Sequence, residues 1–228
     1  AELTAGALRS KPQESLDSAR ELFFTRGYPD WETLVKAEAA LAESERIDYL
    51  TIVTPNDAHF GPADAASAVG SGVLCEKPLP TTLNEARRLG ATVAANKTPF
   101  VVAYTYTGFP MVMLARELVR DGAIGDVREV VTRQTQRAPA RGSAASAWRA
   151  DAARAGGGAF FEGAVHTLDF LDFMFGPLEI LRAHAATRSG DPRLEDRVVA
   201  RYRFASCAQG SGAWDFAAAA DLEFNEIV

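Results

Sequence analysis

A short apolar run that ends in an acid, a base and a proline constrains this chain more than any other feature. The run spans Gly72–Cys75, and Glu76, Lys77 and Pro78 follow it directly. Because the run has no polar alternation, it predicts a buried strand of a parallel sheet. Pro78 fixes φ and stops the strand, so Lys77 should lie at the sheet edge where open α/β folds bind ligands. An ordinary exposed lysine at a strand end is the alternative.

The first half of the chain alternates apolar runs with segments of helical spacing. Strands are predicted over residues 3–8, 48–53, 73–75 and 99–104, and helices over residues 15–24, 31–42, 62–69 and 83–96. Asp30 is a predicted N-cap, and Thr82 with Glu85 forms a predicted capping box. Repeated strand–helix–strand units of this length predict a parallel sheet with right-handed crossovers, so the fold class is α/β.

The second half has a different pattern. It predicts helices over residues 111–120 and 160–175, and strands near residues 126–136, 180–187, 197–204, 210–216 and 223–228. Successive strands with short turns predict a mainly antiparallel open sheet with helices on one face, which is an α+β arrangement. We therefore expect two domains, residues 1–107 and residues 108–228. The segment 138–147, rich in Ala, Arg, Gly and Ser, is a predicted mobile loop.

Composition excludes several functional classes. With 24 Lys and Arg against 30 Asp and Glu, the 228 residues carry a net charge of −6 and no basic run, which argues against a nucleic-acid partner. No apolar run has membrane-spanning length, and the opening residues do not resemble a signal peptide. Cys75 and Cys207 lie far apart in apolar, strand-like contexts and are too few for a disulfide framework, so we expect a reducing cytoplasm. Cys75 has no evident base partner, so we expect a buried structural thiol there. His59, His166 and His184 lie in separate segments, which indicates no metal site.

A second candidate segment begins with three consecutive glycines at residues 156–158. Glu162 and His166 follow at positions i and i+4, so in one continuous helix they would share a face and point at the same cleft as Lys77. The imidazole of His166 is suited to proton transfer near neutral pH. A packing role for His166, and a helix-dipole role for the Glu162 carboxylate, are the alternatives.

Five motifs taken in order resemble the glucose–fructose oxidoreductase and inositol dehydrogenase family, Gfo/Idh/MocA. They are residues 54–59, residues 76–78, residues 106–110, residues 148–149 and residues 156–166. The resemblance implies an N-terminal Rossmann domain that binds NAD or NADP. It also implies a C-terminal domain whose open sheet supports the substrate pocket and the contacts of a homodimer or homotetramer. The implied activity is reversible hydride transfer at a carbinol carbon of a sugar, cyclitol or related polyol.

Two departures from the family pattern affect these expectations. The family's first strand and glycine-rich turn would precede Ala1, so we expect that a longer protein extends beyond both ends and that this chain alone binds cofactor poorly. Glu162 stands where the family usually has Asp, and Ala164 where it usually has Gly. Glutamate keeps the carboxylate but reaches one methylene further, so a catalytic role for Glu162 stays open.

Hydride transfer from an alcohol requires a base for the hydroxyl proton. Lys77 is the first candidate, as a base when neutral and as an oxyanion stabiliser when charged. His166 is the second candidate, and Glu162 is the third. A non-catalytic dinucleotide- or sugar-binding regulator of the same fold is the alternative function, and a fragment whose sheet serves mainly in assembly is another.

The resemblance and the strand ends together predict binding residues. The predicted cofactor contacts are Arg9, Ser10, Thr54, Pro55, Asn56, His59, Glu76, Lys77 and Pro78. Arg9 stands where an acid would favour NAD, which leans the prediction to NADP, although a solvated basic loop is the alternative. The predicted substrate contacts are Tyr104, Tyr106, Trp148 and Arg149. The tyrosines could equally pack in the protein interior, and Arg149 could simply pair with an acid.

Overall fold

The computed structural model describes residues 2–137, 147–188 and 190–228. Its contacts divide the chain into a first unit, Ala1–Ala103, and a second unit, Tyr104–Val228. The division therefore falls four residues before the boundary predicted after residue 107. Residues 138–146, most of the predicted mobile loop, lie outside the described residues.

The first unit is built on parallel strands, as the sequence predicts. Its elements are β1 (Ala5–Gly6), α1 (Pro12–Glu21), β2 (Arg26–Gly27), α2 (Trp31–Ala39), β3 (Tyr49–Ile52), α3 (Phe60–Ala68), β4 (Gly72–Cys75), α4 (Leu83–Asn96) and β5 (Phe100–Val102). Strands β3, β4 and β5 form a parallel sheet in that order, and β1 pairs in parallel with β2. Strand β2 was not predicted, because two residues are too few to show a period.

Helix caps and a buried charge fix the local structure of the first unit. The Asp30 carboxylate accepts a hydrogen bond from Thr33 N at 2.7 Å, and the Thr82 hydroxyl accepts one from Glu85 N at 3.2 Å, so both predicted caps are confirmed. Glu38 is only 2% exposed. Burial alone would raise the pKa of Glu38, but hydrogen bonds from Arg26, Tyr28 and Ile47 N lower it overall.

The second unit contains a mixed sheet that is mainly antiparallel. Its elements are α5 (Pro110–Arg120), β6 (Glu129–Arg137), α6 (Ala152–Ala155), α7 (Ala159–Gly163), α8 (Val165–Phe175), β7 (Leu178–Ala186), β8 (Arg197–Phe204), β9 (Gln209–Ala218) and β10 (Leu222–Ile227). In the described residues, five strands pair in the order β10-β6-β9-β8-β7. Only the β6–β9 pairing among them is parallel. The core includes Leu171, Tyr202 and Trp214, each at most 1% exposed.

Two sequence predictions for the second unit are wrong. The single helix predicted over residues 160–175 is two helices, because α7 ends at Gly163 and α8 starts at Val165. Gly163 packs so closely on the ring of Phe216 that a β-carbon there would clash with it, and glycine also weakens a helix interior. Cys207 does not lie in an apolar strand. It is exposed in the turn between β8 and β9, with φ of 70°.

Candidate active site

Lys77 lies where the sequence places it, directly after a buried parallel strand. The last rung of the sheet joins Glu76 N to Ile52 O at 2.9 Å. On the other side of β4, Ala103 N donates to Cys75 O at 2.9 Å. Lys77 is half-buried, Pro78 is buried, and the peptide bond between them is cis. The carboxyl end of the sheet therefore carries an amine on a short, well-anchored loop.

The thiol of Cys75, two residues before Lys77, takes no part in this chemistry. Cys75 is fully buried within the core of the first unit. Burial raises its pKa to about 12, and the charge of Glu76 adds to the increase. The side chain therefore stays a neutral thiol at working pH, in agreement with the structural role predicted for it.

The turn after the neighbouring strand β3 contains the Thr-Pro-Asn motif and His59. Thr54 is exposed and its hydroxyl donates to Ala58 O at 3.1 Å, across a single 3₁₀ turn at Asn56–Ala58. His59 is 1% exposed, with Nδ1 2.9 Å from Pro78 O and Nε2 2.9 Å from Thr54 O. Both ring nitrogens thus face backbone carbonyls of this unit. His59 therefore contacts the backbone within this unit, and its contact with a cofactor stays a prediction.

Arg9 and Ser10 follow β1 and are exposed. The Arg9 guanidinium Nε donates to the Ser18 hydroxyl at 3.2 Å, which directs the side chain back toward α1. Lys11 pairs with Glu14 at 2.6 Å on the same surface. The loop therefore carries an arginine at the position where a carboxylate would favour NAD. Contacts of Arg9 and Ser10 with a cofactor stay predictions.

A cavity of about 410 Å³ lies within the second unit. Its lining combines aromatic, amide and carboxylate side chains: Tyr106, Gln134, Thr135, Gln136, Gly163, His166, Phe216, Asp221, Leu222 and Glu223. Tyr106 and His166 were predicted from the sequence, whereas the strand residues were missed. A signal for them exists in β6, where Val130 is followed in the same buried register by the polar residues Thr132 and Gln134.

A chain of hydrogen bonds connects the core to this cavity. Trp214 Nε1 donates to the Thr167 hydroxyl at 2.9 Å. The single proton of that hydroxyl is shared between Ala164 O at 3.0 Å and Gln134 Oε1 at 3.3 Å. Gln134 Nε2 and the Tyr106 hydroxyl both donate to Glu223 Oε2, at 3.2 Å and 3.3 Å. Burial, followed by the charge and hydrogen bond of Glu223, raises the pKa of Tyr106. The phenol is therefore a neutral donor that orients the carboxylate.

His166 is held at the cavity by an aromatic contact. Its ring stacks on Tyr106 with centroids 4.9 Å apart and planes 17° apart, and Tyr106 in turn stacks on Phe109. Asp169 lies one turn further along α8. Burial and the neighbouring Asp172 raise the pKa of Asp169, while a hydrogen bond with Thr107 opposes the shift. The stacked His166 ring is among the side chains that line the cavity.

Glu162 and His166 lie in different helices, α7 and α8, so the single continuous helix on which the i and i+4 prediction depends is not observed. Glu162 belongs to α7 and lies 3.4 Å from Arg149 Nε, so the predicted alternative for Arg149, pairing with an acid, is observed. Arg149 also lies over the ring of Trp148, 4.3 Å from its centroid. Tyr104 is half-buried and is not a lining residue of the cavity described above. Substrate contacts of Tyr104, Trp148 and Arg149 stay predictions.

Within residues 2–137, 147–188 and 190–228, no group of three His, Cys, Asp or Glu side chains is arranged to hold a metal ion. No helix in the same ranges combines the length and apolar character that crossing a bilayer requires.

A parallel sheet with a lysine at its carboxyl edge, followed by a mixed open sheet, is the arrangement of a Rossmann-type protein with a second α+β domain. Sequence models of two domains match this chain. The one described as an oxidoreductase family with an NAD-binding Rossmann fold matches residues 3–104, and the one described as the GFO/IDH/MocA C-terminal domain matches residues 112–227. The chain belongs to the Gfo/Idh/MocA family, and the predicted resemblance is confirmed.

Similar proteins agree with this assignment. Levoglucosan dehydrogenase of Pseudarthrobacter phenanthrenivorans is 27% identical over 225 residues, which is 89% of this chain and 56% of the relative. Inositol 2-dehydrogenase of Rhizobium meliloti is 30% identical over 142 residues, which is 62% of this chain and 41% of the relative. The chain thus spans about half the length of these curated relatives.

Solved structures give the same result. An inositol dehydrogenase homolog from Azotobacter vinelandii, complexed with NAD+, has a TM-score of 0.87 and 29% identity, and the match covers 98% of this chain and 60% of that one. Levoglucosan dehydrogenase in complex with NADH and L-sorbose has a TM-score of 0.86 and 26% identity, with coverage of 99% and 62%.

Proposed function

We propose that the protein is an NAD(P)-dependent oxidoreductase that acts on a CH–OH group of a sugar, cyclitol or related polyol. The observation that carries the proposal is the position of Lys77, a half-buried amine at the carboxyl end of a parallel strand in a chain of this family. The named activities of the relatives, on levoglucosan and inositol, support the substrate class.

The residues at the sheet edge fit a dinucleotide. Thr54 is exposed at the end of β3, beside Val53, which is 73% exposed and offers an apolar surface to a flat ring. The backbone of the Glu76–Pro78 loop completes this edge. When bound, the nicotinamide would accept or donate the hydride.

Residues of this chain would accept the hydroxyl proton of the substrate. A neutral Lys77 amine takes the hydroxyl proton of the substrate, and the resulting ammonium stabilises negative charge on the oxygen. His166 is the alternative base, because its imidazole borders a cavity and is oriented by Tyr106. Glu162 is paired with Arg149, so we assign it to orientation of that segment rather than to proton transfer.

The cavity of the second unit supports a polyhydroxylated substrate. Glu223 accepts two hydrogen bonds at one carboxylate oxygen, and its other oxygen can accept from a substrate hydroxyl. The amides of Gln134 and Gln136 also line the cavity and can pair with hydroxyls. A site built to hydrogen-bond hydroxyl groups rejects analogues without them, which favours polyols over apolar alcohols.

Arg9 favours NADP over NAD in this proposal. It is exposed after β1, where a carboxylate would select the ribose hydroxyls of NAD. We predict that Arg9→Asp weakens NADPH binding about tenfold or more and shifts preference toward NADH, because a 2′-phosphate loses a cationic partner and meets a carboxylate. Dissociation constants for both cofactors measure the change. The control is Arg20→Asp, which replaces an exposed arginine near the end of α1. An unchanged preference between NADPH and NADH would mean that Arg9 does not contact the cofactor and is an ordinary solvated residue.

The assembly is part of the proposal. Strands β7 and β8 expose Ile180, Leu181 and Val199, each about half exposed. Such a surface supports a homodimer or homotetramer through the sheet, which sedimentation of the full-length protein at micromolar concentration would test. A cytoplasmic location is proposed on the two cysteines, the absence of a nucleic-acid partner on the acidic composition, and the absence of a membrane partner on the lack of a long apolar run.

The first experiment is a titration of the full-length protein with NADH and NADPH, followed by nicotinamide fluorescence. Saturable binding supports the oxidoreductase and justifies a screen of cyclitols and sugars for turnover. Binding without turnover of any polyol would favour the alternative, a dinucleotide- or sugar-binding regulator of the same fold. A folded protein that binds neither cofactor would contradict the proposal.

A further inference from the structure

His59 joins the two loops that form the functional edge of the first unit. Its ring is 1% exposed, with Nδ1 2.9 Å from Pro78 O and Nε2 2.9 Å from Thr54 O. Thr54 follows β3, whereas Pro78 follows Lys77 at the end of β4. One buried side chain therefore bridges the carboxyl ends of two adjacent strands, beyond the last rung of the sheet at Glu76.

This bridge fixes the backbone on the far side of Lys77. On the near side, Glu76 N is held by Ile52 O at 2.9 Å. On the far side, Pro78 has no N–H to anchor it, and its carbonyl contacts the His59 ring instead. We propose that His59 is a positioning residue, which sets the direction of the Lys77 side chain by holding the Pro78 carbonyl; the inference rests on the proposed role of Lys77.

The surroundings of His59 suit this role. His59 N donates to Asn56 O at 3.2 Å, and His59 O accepts from Ala63 N at 3.3 Å, so its backbone is set between the 3₁₀ turn and α3. The two ring nitrogens lie on different edges of the imidazole, which lets one side chain reach two carbonyls. A singly protonated ring donates to one of them, whereas a doubly protonated ring donates to both. An amide side chain such as glutamine can donate to one of these carbonyls but cannot reproduce both contacts.

The test is a double-mutant cycle in the full-length protein with His59→Ala, Lys77→Met and the double variant. Misplacing a reacting group by about 1 Å can lower the rate on the order of a hundredfold, so we expect His59→Ala to reduce kcat about ten- to a hundredfold. In the Lys77→Met background, the same change should have little further effect on kcat, because the side chain that it positions is gone. Equal losses of kcat in both backgrounds would overturn the proposal.

A matched control separates positioning from stability. Thr98 is 6% exposed and its hydroxyl donates to Ser67 O at 2.9 Å, a similar buried bond before β5 at the amino edge of the sheet. Thr98→Val should lower the unfolding temperature but leave kcat of the folded protein unchanged. His59→Gln keeps one donor and should recover part of the kcat lost in His59→Ala. It also serves as the test variant if His59→Ala does not fold, and a glutamine variant with unaltered kcat would then refute positioning.

Amide hydrogen exchange gives a readout that does not depend on activity. We expect His59→Ala or His59→Gln to accelerate exchange in the segment from Glu76 to Leu79, while Thr98→Val does not. If the wild-type protein turns over no substrate but exchange changes as expected, the proposed function fails and the bridge to Pro78 stands. If exchange of this segment is the same in all variants, His59 does not hold the loop and the inference fails, whatever the activity.

Discussion

The two units hold their buried polar groups by different means. In the first unit, the Glu38 carboxylate accepts two hydrogen bonds from Arg26 at 2.7 Å and one from the Tyr28 hydroxyl at 2.8 Å, so the buried negative charge is paired with a positive one. In the second unit, Trp214 donates a hydrogen bond to the Thr167 hydroxyl, which lies within hydrogen-bond distance of Gln134 at the cavity, and all three side chains are neutral. An ionic cluster makes stability depend on pH, whereas a neutral chain does not.

The same contrast applies to the candidate proton-transfer groups. Lys77 extends from a loop whose backbone is fixed on both sides, by Ile52 O and by the His59 ring. His166 is oriented by ring stacking on Tyr106. A backbone-held group keeps its position when neighbouring side chains change, whereas the orientation of a stacked group responds to replacement of its aromatic neighbour. Variants of each kind can therefore show which group transfers the proton.

The largest expected effect is the loss of turnover in Lys77→Met. Methionine retains a long apolar stem but has no amine, so kcat should fall about 10²- to 10⁴-fold, which is the typical contribution of a general base. Steady-state kinetics of the full-length protein measure it. Lys36→Met, on the exposed surface of α2, is the control and should retain full activity. If Lys77→Met keeps its kcat, proton transfer by Lys77 is excluded and His166 becomes the first candidate.

The next effect is on stability, in Glu38→Gln. The variant leaves the Arg26 guanidinium without its carboxylate, so the free energy of unfolding should fall by about 2–3 kcal/mol at neutral pH. Because the folded-state pKa of Glu38 is lowered, the carboxylate stabilises the fold above the ordinary glutamate pKa. That contribution disappears as the pH falls through the lowered pKa, so the difference between wild type and variant should shrink in acid.

Chemical denaturation at several pH values measures this dependence. Glu43→Gln is the control, because the side chain of Glu43 is 92% exposed and only 4.0 Å from Arg46. An exposed pair of this kind contributes little, so the control should change stability by less than about 0.5 kcal/mol. A difference for Glu38→Gln that stays constant down to pH 3 would mean that the carboxylate is not the stabilising form.

The neutral chain of the second unit should respond differently. Thr167→Val keeps the shape of the side chain but leaves Trp214 Nε1 and Gln134 Oε1 without their shared hydroxyl. We expect a loss of about 1–2 kcal/mol in the free energy of unfolding, because buried polar groups lose a partner. The loss should change less with pH than that of Glu38→Gln, because Trp214, Thr167 and Gln134 are neutral and the Glu223 carboxylate keeps its hydrogen bonds from Gln134 and Tyr106. A loss that changes with pH as steeply as that of Glu38→Gln would contradict the contrast between the two units.

The sequence predicted best those features that local chemistry decides. The run Gly72–Cys75 is apolar on both faces and ends at a proline, so its burial and the place of Lys77 follow without tertiary information. Asp30 and Thr82 cap helices because their side chains reach backbone N–H groups within the same turn. These features depend only on residues that are close in the chain or that belong to neighbouring strand–helix units, so a local sequence pattern is enough to predict them.

The predictions that failed depend on contacts between distant residues. Gly163 ends α7 where the backbone packs against Phe216, more than fifty residues later, and no local pattern reveals that contact. Glu223 borders the cavity because β10 pairs with β6, with Glu223 opposite Gln134. The contact of the buried His59 ring with the Pro78 carbonyl is likewise one that no local pattern reveals, although it leaves the predicted cofactor contact untested. The sequence therefore identified several chemically useful residues but not which neighbours hold them.

The smallest expected effect comes from Tyr106→Phe, and it tests the aromatic side of the comparison. The variant keeps the ring on His166 but removes the hydroxyl that donates to Glu223. The lost hydrogen bond is worth about 1 kcal/mol, so kcat/KM should fall about fivefold. Because burial and Glu223 raise the pKa of Tyr106, the phenol is protonated at working pH and the alkaline limb of the rate profile should not change.

Tyr106→Leu is the companion variant, since it also removes the stacking contact with His166. Aromatic contacts contribute about 0.5–1.5 kcal/mol, so the additional loss in kcat/KM should be about two- to tenfold. If leucine and phenylalanine give the same activity, stacking does not orient His166 and the contrast between a stacked and a backbone-held group fails. If the change to phenylalanine is enough to remove the alkaline limb of the rate profile, Tyr106 itself transfers the proton, because that variant lacks only the hydroxyl.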